Sequence, residues 1–173
     1  MPISTQSDDG SLVAGSLKEA LQAHMPALLI GTLGTGKLAL VRQFAETNNY
    51  KNVTLGIDNA SEHEITKMIA ATRRRAASSG NSPLVVLFDG MSRDKRGQLL
   101  IWRFFEDLAK DRSKKILPVY TLTPDAINSI PLSACVRSWV VYLGPVTNCV
   151  KWKNQITGII GAGVQSKLQE MEF

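Results

Sequence analysis

The sequence predicts an α/β fold in which a mostly parallel sheet is covered by helices on both faces. Two patterns carry this expectation. Short continuous apolar runs at residues 26–30, 84–88, 116–122 and 139–143 suit strands buried on both sides, and stretches with helical spacing separate them. Between the first run and the next helical stretch lie three glycines in six residues, an order of strand, glycine loop, helix. The chain's 173 residues, 44% apolar and 20% charged, match one globular domain and exclude a disordered or fibrous chain.

From the N-terminus, residues 1–10 are polar and read as a frayed lead-in to a core at 11–147. Helical spacing begins near Ser11, with Leu12, Leu17, Ala20 and Leu21 on one side. The strand 26–30 is bounded by Pro26 and Gly31, and an amphipathic stretch follows at 38–46. A second strand is expected at 52–57 and a helix at 62–77 through Ile65, Met68, Ile69 and Thr72. Residues 78–83 are a loop by composition, closed by Pro83. The strand 84–88 ends in Asp89, and a helix at 98–108 offers Leu99, Leu100, Trp102, Phe105 and Leu108 for packing. A strand at 116–122, a short helix or turn at 125–129 and a last strand at 139–143 complete the core. Residues 148–173 read as a helical tail interrupted by Gly161 and Gly163.

The loop Gly31-Thr32-Leu33-Gly34-Thr35-Gly36-Lys37 satisfies G-x-x-x-x-G-K in its confirming strand-to-helix context. Glycines let backbone N–H groups turn toward phosphate oxygens, the helix end adds its positive dipole, and Lys37 reaches the outer phosphates. Leu38 stands where Ser or Thr would offer a hydroxyl to Mg2+, which weakens metal coordination without removing the anion cradle. Asp89, at the end of a buried strand, is placed to hold Mg2+ directly or through water. Its follower is Gly90 rather than an acid able to polarise an attacking water, and Asp94 replaces that acid only if the loop folds back. Binding parts kept and catalytic parts altered indicate nucleotide binding with weak or absent hydrolysis.

Four segments carry a wider resemblance: PALLIGTLGTGKLALVRQFAE, LVVLFDG, GQLLIWRFFED and VYTLTPDAINSIPLSACVRSWVVYLGPV. Over roughly residues 11–146 the chain resembles the AAA+ branch of P-loop NTPases, and within it the clamp-loader subunits of DNA polymerases, especially the delta-prime type. The resemblance implies a three-layer P-loop sandwich, here with a lid domain absent or minimal, since some 28 residues follow Pro145. It implies ATP and Mg2+ as ligands, other AAA+ subunits as partners, and DNA. Gln98, Leu99, Leu100, Glu106 and Asp107 look like counterparts in the family's N-A-L-L-K-x-x-E-E helix. Thr121 falls on its sensor-1 position, toward a γ-phosphate or water. Arg137 falls on the arginine of its Ser-Arg-Cys motif, which reaches a neighbour's nucleotide, although Val136 and Ser138 replace the flanking residues. A surface arginine before an edge strand is the plainer alternative.

With 20 Lys and Arg against 15 Asp and Glu, the formal net charge is +5, which favours polyanion partners. Arg93, Lys95 and Arg96 follow Asp89 in a segment that AAA+ proteins commonly turn toward DNA. Lys110, Arg112, Lys114 and Lys115 form another basic run, while Arg73, Arg74 and Arg75 suit the end of a helix. Trp102, Trp139, Trp152, Cys135 and Cys149 read as packing residues, and two histidines far from two cysteines give no zinc cluster. No apolar run is long enough to cross a membrane, and an intracellular protein is expected. Two other readings remain open: an inactive P-loop scaffold, and a DNA-dependent ATPase of the helicase-loader or transposition-regulator kind.

Overall fold

The structure, a computed structural model, describes residues 6–110, 115–144, 158 and 161. Arg112, Lys114, Cys149, Trp152, Gly163 and nearly all of the expected tail lie outside the described residues. The elements run α1 (Gln6–Gln22), β1 (Ala27–Gly31), α2 (Lys37–Thr47), β2 (Lys51–Gly56), α3 (Glu62–Ser78), β3 (Leu84–Asp89), α4 (Lys95–Lys110), β4 (Ile116–Leu122), a 3-10 turn (Pro124–Ser129), α5 (Leu132–Arg137) and β5 (Trp139–Leu143). The five strands lie in the order β2-β3-β4-β1-β5, and all four pairings are parallel.

Alternation along the strands divides the core into two layers. Leu28 and Ile30 of β1, Val86 and Phe88 of β3, and Tyr120 and Leu122 of β4 face α3, α4 and α5. Ala27, Leu29, Val85, Leu87, Leu117 and Val119 face α1 and α2. The three-layer α/β architecture expected from the sequence is therefore present. The central strands are buried throughout except at Asp89, the half-buried end of β3, whereas β2 alternates exposed and buried positions after its first residue, as a sheet edge should. Under α4, Phe105 and Phe88 meet edge to face at 5.4 Å, and Trp102 stacks on Tyr120 at 4.5 Å.

Three local expectations need correction. Residues 6–10 belong to α1 rather than to a frayed lead-in, and the buried stripe of that helix is Val13, Leu17 and Ala20, which leaves Leu12 56% exposed. Leu99 is 48% exposed because α4 buries Ile101, Trp102, Phe104, Phe105 and Leu108 instead. The six-residue α5 has no counterpart in the sequence pattern, being shorter than two turns of periodicity. Of the basic run at the end of α3, Arg73 places its guanidinium 5.5 Å from the centre of the Phe104 ring, a cation–π contact between α3 and α4.

The N-terminus of α3 carries a reciprocal cap. The Glu64 N–H donates to Ser61 Oγ at 3.4 Å, and the Ser61 N–H donates to Glu64 Oε2 at 2.8 Å. The Ser61 hydroxyl also donates to Glu64 Oε2, at 2.7 Å, and this bond, with the one from the Ser61 N–H, lowers the pKa of the Glu64 carboxyl from its ordinary value. Ser61→Ala is expected to lower the unfolding free energy by about 1 kcal/mol, read as a shift of the urea midpoint at unchanged slope.

Candidate functional site

Adjacent strands β1 and β4 send their outgoing connections to opposite faces, β1 to α2 and β4 to the 3-10 turn and α5. A crevice opens at the carboxyl ends of strands at such a switch point. Here it is a cleft of 380 Å³ whose lining includes Gly34, Gly36, Lys37, Leu38, Asp89 and Thr121, a size that suits a small ligand.

The glycine loop forms one wall. Gly34 and Gly36 have φ of +80° and +71°, the left-handed region that L side chains avoid, and Gly36 is the N-cap residue of α2. At Gly31 the demand is for space, since a Cβ would lie 3.0 Å from both Leu143 O and Thr35 Oγ1. Thr35 Oγ1 donates to Thr32 O at 2.9 Å, closing the turn. Lys37 Nζ donates to Gly31 O at 2.7 Å and Thr32 O at 2.8 Å, which holds the ammonium at the mouth of the loop. Partial burial pushes the Lys37 pKa below its ordinary value, and the nearby Asp89 charge offsets this in part.

Asp89 and Thr121 form the facing wall. The register of β3 on β4 pairs these two residues, so both project to the α2 side of the sheet. Thr121 Oγ1 donates to Asp89 Oδ1 at 2.7 Å and lies 3.2 Å from Phe88 O, so its hydroxyl orients the carboxylate. One carboxylate plus phosphate oxygens and water is a common donor set for Mg2+, and Leu38, packed against the α1–α2 layer, adds no oxygen to it. The residues thus fit a metal held mainly by a bound polyphosphate.

Behind the cleft a hydrogen-bond chain runs to the basic segment. The Tyr120 hydroxyl donates to Gly90 O at 3.0 Å, Gln98 Nε2 donates to the Tyr120 oxygen at 3.0 Å, and the Ser92 N–H donates to Gln98 Oε1 at 2.8 Å. Burial pushes the Tyr120 phenol well above its ordinary range, so it stays a neutral donor. Arg93, Lys95 and Arg96 lie exposed at the end of this chain.

Asp94 does not take the place of a catalytic acid. Its Oδ1 accepts the Gly97 N–H at 2.6 Å, at the start of α4, and it does not line the cleft. Asp58, which sequence reasoning missed, lines the cleft together with Asp89. The Ile57 N–H donates to Asp89 O at 2.7 Å, and the Asn59 N–H to Met91 O at 3.3 Å, so residues 57–59 follow β3 beyond the end of β2. The available signal was an acid just after a strand, the same one that singled out Asp89.

Arg137 stands apart. It precedes β5, whose first residue pairs with the first residue of β1, whereas the cleft lies at the opposite ends of these strands, roughly 13 Å of strand away. It lines a second cavity, of 500 Å³, together with His24, Glu106 and Lys110. Lys110 is bridged to Asp107 at 3.1 Å, and Cys135 is a buried free thiol whose pKa burial raises. Among the described residues no group of three or more His, Cys, Asp or Glu side chains is placed to hold a metal ion, and no helix is long and apolar enough to cross a membrane. No protein-family model matches the chain, and no curated protein matches it.

Proposed function

We propose that this chain is a nucleotide-binding AAA+ subunit of the clamp-loader type, acting in an oligomer on DNA, with weak or absent ATP hydrolysis of its own. The observation that carries the reading is the meeting of the G-x-x-x-x-G-K loop, Asp89 and Thr121 in one cleft at the carboxyl ends of parallel strands. The loop's backbone and Lys37 hold the phosphates of ATP, Asp89 contributes to Mg2+, and Thr121 fixes the Asp89 carboxylate. Bound Mg2+ would neutralise phosphate charge. Arg137 is too far from its own cleft to serve it, which suits an arginine offered to a neighbouring subunit. Leu38, which gives the metal no hydroxyl, favours the inactive scaffold as a second reading.

Titration with a fluorescent ATP analogue, with and without Mg2+, tests the reading; absence of binding both alone and with candidate partner subunits would leave the scaffold. On this reading Arg93, Lys95 and Arg96 face DNA phosphates. The variant with all three changed to Ala is expected to bind duplex DNA more weakly and to flatten the slope of log affinity against log salt by about 2 to 3. An unchanged slope would remove this segment from the DNA contact.

A further inference from the structure

We propose that Asp58 is the carboxylate that orients water for attack on the terminal phosphate of a bound nucleoside triphosphate. The inference rests on the nucleotide reading above and goes beyond it, because it selects slow hydrolysis over none and names a residue for it.

Asp58 and Asp89 are the two carboxylates lining the cleft. Asp89 is engaged by the Thr121 hydroxyl and is the group suited to the metal, and Asp94 is committed to the start of α4. Asp58 is held differently. Its Oδ1 accepts the Met91 N–H at 3.2 Å, and among the described residues no donor is bonded to Oδ2. The side chain is solvent-exposed, so Oδ2 is accessible to water.

Its position is set by Gly90. A Cβ built on Gly90 would collide with Asp58 Oδ1 and lie 2.5 Å from Asp58 Cγ. The Asp58 carboxyl therefore fills the space into which a side chain following Asp89 would extend. A carboxylate missing from the end of β3 is supplied from just beyond β2, beside the same Asp89.

In the step this supports, the water oxygen bonds to the terminal phosphorus as the bond from that phosphorus to its bridging oxygen breaks. The electron pair leaves on the nucleoside diphosphate. Asp58 accepts the water's displaced proton and releases it to solvent, so the carboxylate is regenerated. Orientation and proton acceptance of this kind contribute about 100-fold or more.

The test compares wild type, Asp58→Asn and Asp94→Asn in single-turnover ATP hydrolysis with protein in excess. Fluorescent-analogue affinity, thermal midpoint and the fraction of bound nucleotide recovered as triphosphate are measured alongside. The Asp58→Asn change keeps the side chain's shape and an acceptor for the Met91 N–H but removes the charge. The expected result is turnover lowered about 100-fold, unchanged affinity and midpoint, and bound nucleotide recovered as triphosphate. Asp94→Asn, which keeps a helix cap, is expected to match wild type. Wild-type turnover in Asp58→Asn, or a wild type that binds triphosphate and never cleaves it, alone or with DNA, overturns this inference alone. A wild type that binds no triphosphate overturns the nucleotide reading and this inference with it.

Discussion

Replacing Lys37 with Ala is expected to weaken ATP binding by about 100-fold while leaving the fold in place. Two charge-assisted hydrogen bonds to phosphate oxygens, at about 1.5 kcal/mol each, give this loss. The fold survives because Lys37 is itself only partly buried, so water can reach the carbonyls of Gly31, the last residue of β1, and of Thr32 once the ammonium is gone. The lysine also gives binding a pH dependence whose sign follows from its burial. Its pKa in the folded chain lies below the ordinary value near 10.5, so the ammonium is disfavoured by folding, and this cost is relieved as pH rises through the lowered pKa. Phosphate favours the ammonium again, so binding takes up a proton in that range. Affinity should therefore fall as pH rises toward 10, and Lys37→Arg, always charged, should lose that fall. A fluorescent-analogue titration from pH 7 to pH 10 measures both; equal affinity of Lys37→Ala and wild type at pH 7 would remove Lys37 from the phosphate site.

The parts of this molecule legible in its sequence are those governed by burial on both sides. β4 and β5 have the limits expected of them, Ile116–Leu122 and Trp139–Leu143, because a continuous apolar run bounded by polar, glycine or proline residues has few other solutions. The glycine loop was legible for a different reason: positive φ at Gly34 and Gly36 restricts residue choice. Asp89 and Thr121 could each be named from the ends of their strands, but their hydrogen bond depends on the register of β3 on β4, which no single segment encodes. Asp58 was missed for the same reason. Its importance arises from residues 57–59 continuing alongside 89–91, a pairing between segments more than thirty residues apart.

Arg137 shows the opposite limit. Its motif context suggested a role at a phosphate, but strand order alone decides which phosphate is in reach. β5 pairs with β1 in parallel, so a residue preceding β5 lies at the far end of the sheet from the loop following β1. A role at this chain's own cleft is thereby removed, and a role at a neighbour's is left. The chain from Tyr120 through Gln98 to Ser92 has the same dependence on tertiary structure. It links Gly90, at the cleft, to the segment carrying Arg93, Lys95 and Arg96 through side chains whose individual types announce nothing.

Gly90→Ala is expected to destabilise the protein by about 3 kcal/mol, from a left-handed backbone at φ +89° and from overpacking against Asp58. At this chain length the loss corresponds to a fall of about 9 °C in the thermal midpoint. The new methyl would meet three atoms of Asp58, colliding with Oδ1 and lying 2.5 Å from Cγ and 2.8 Å from the backbone N. Removing the Asp58 side chain relieves the first two and leaves the third, together with the backbone strain. Asp58→Gly alone loses the bond from the Met91 N–H, about 1 kcal/mol. The double variant should therefore be more stable than the sum of the singles predicts by about 1 kcal/mol, a coupling that denaturant unfolding of the four proteins measures. Wild-type stability in Gly90→Ala, or strict additivity, would mean that Asp58 does not occupy this space. The coupling changes the meaning of the glycine: position 90 cannot readily carry an acid here, because the carboxylate at that corner of the cleft already comes from Asp58, just beyond β2.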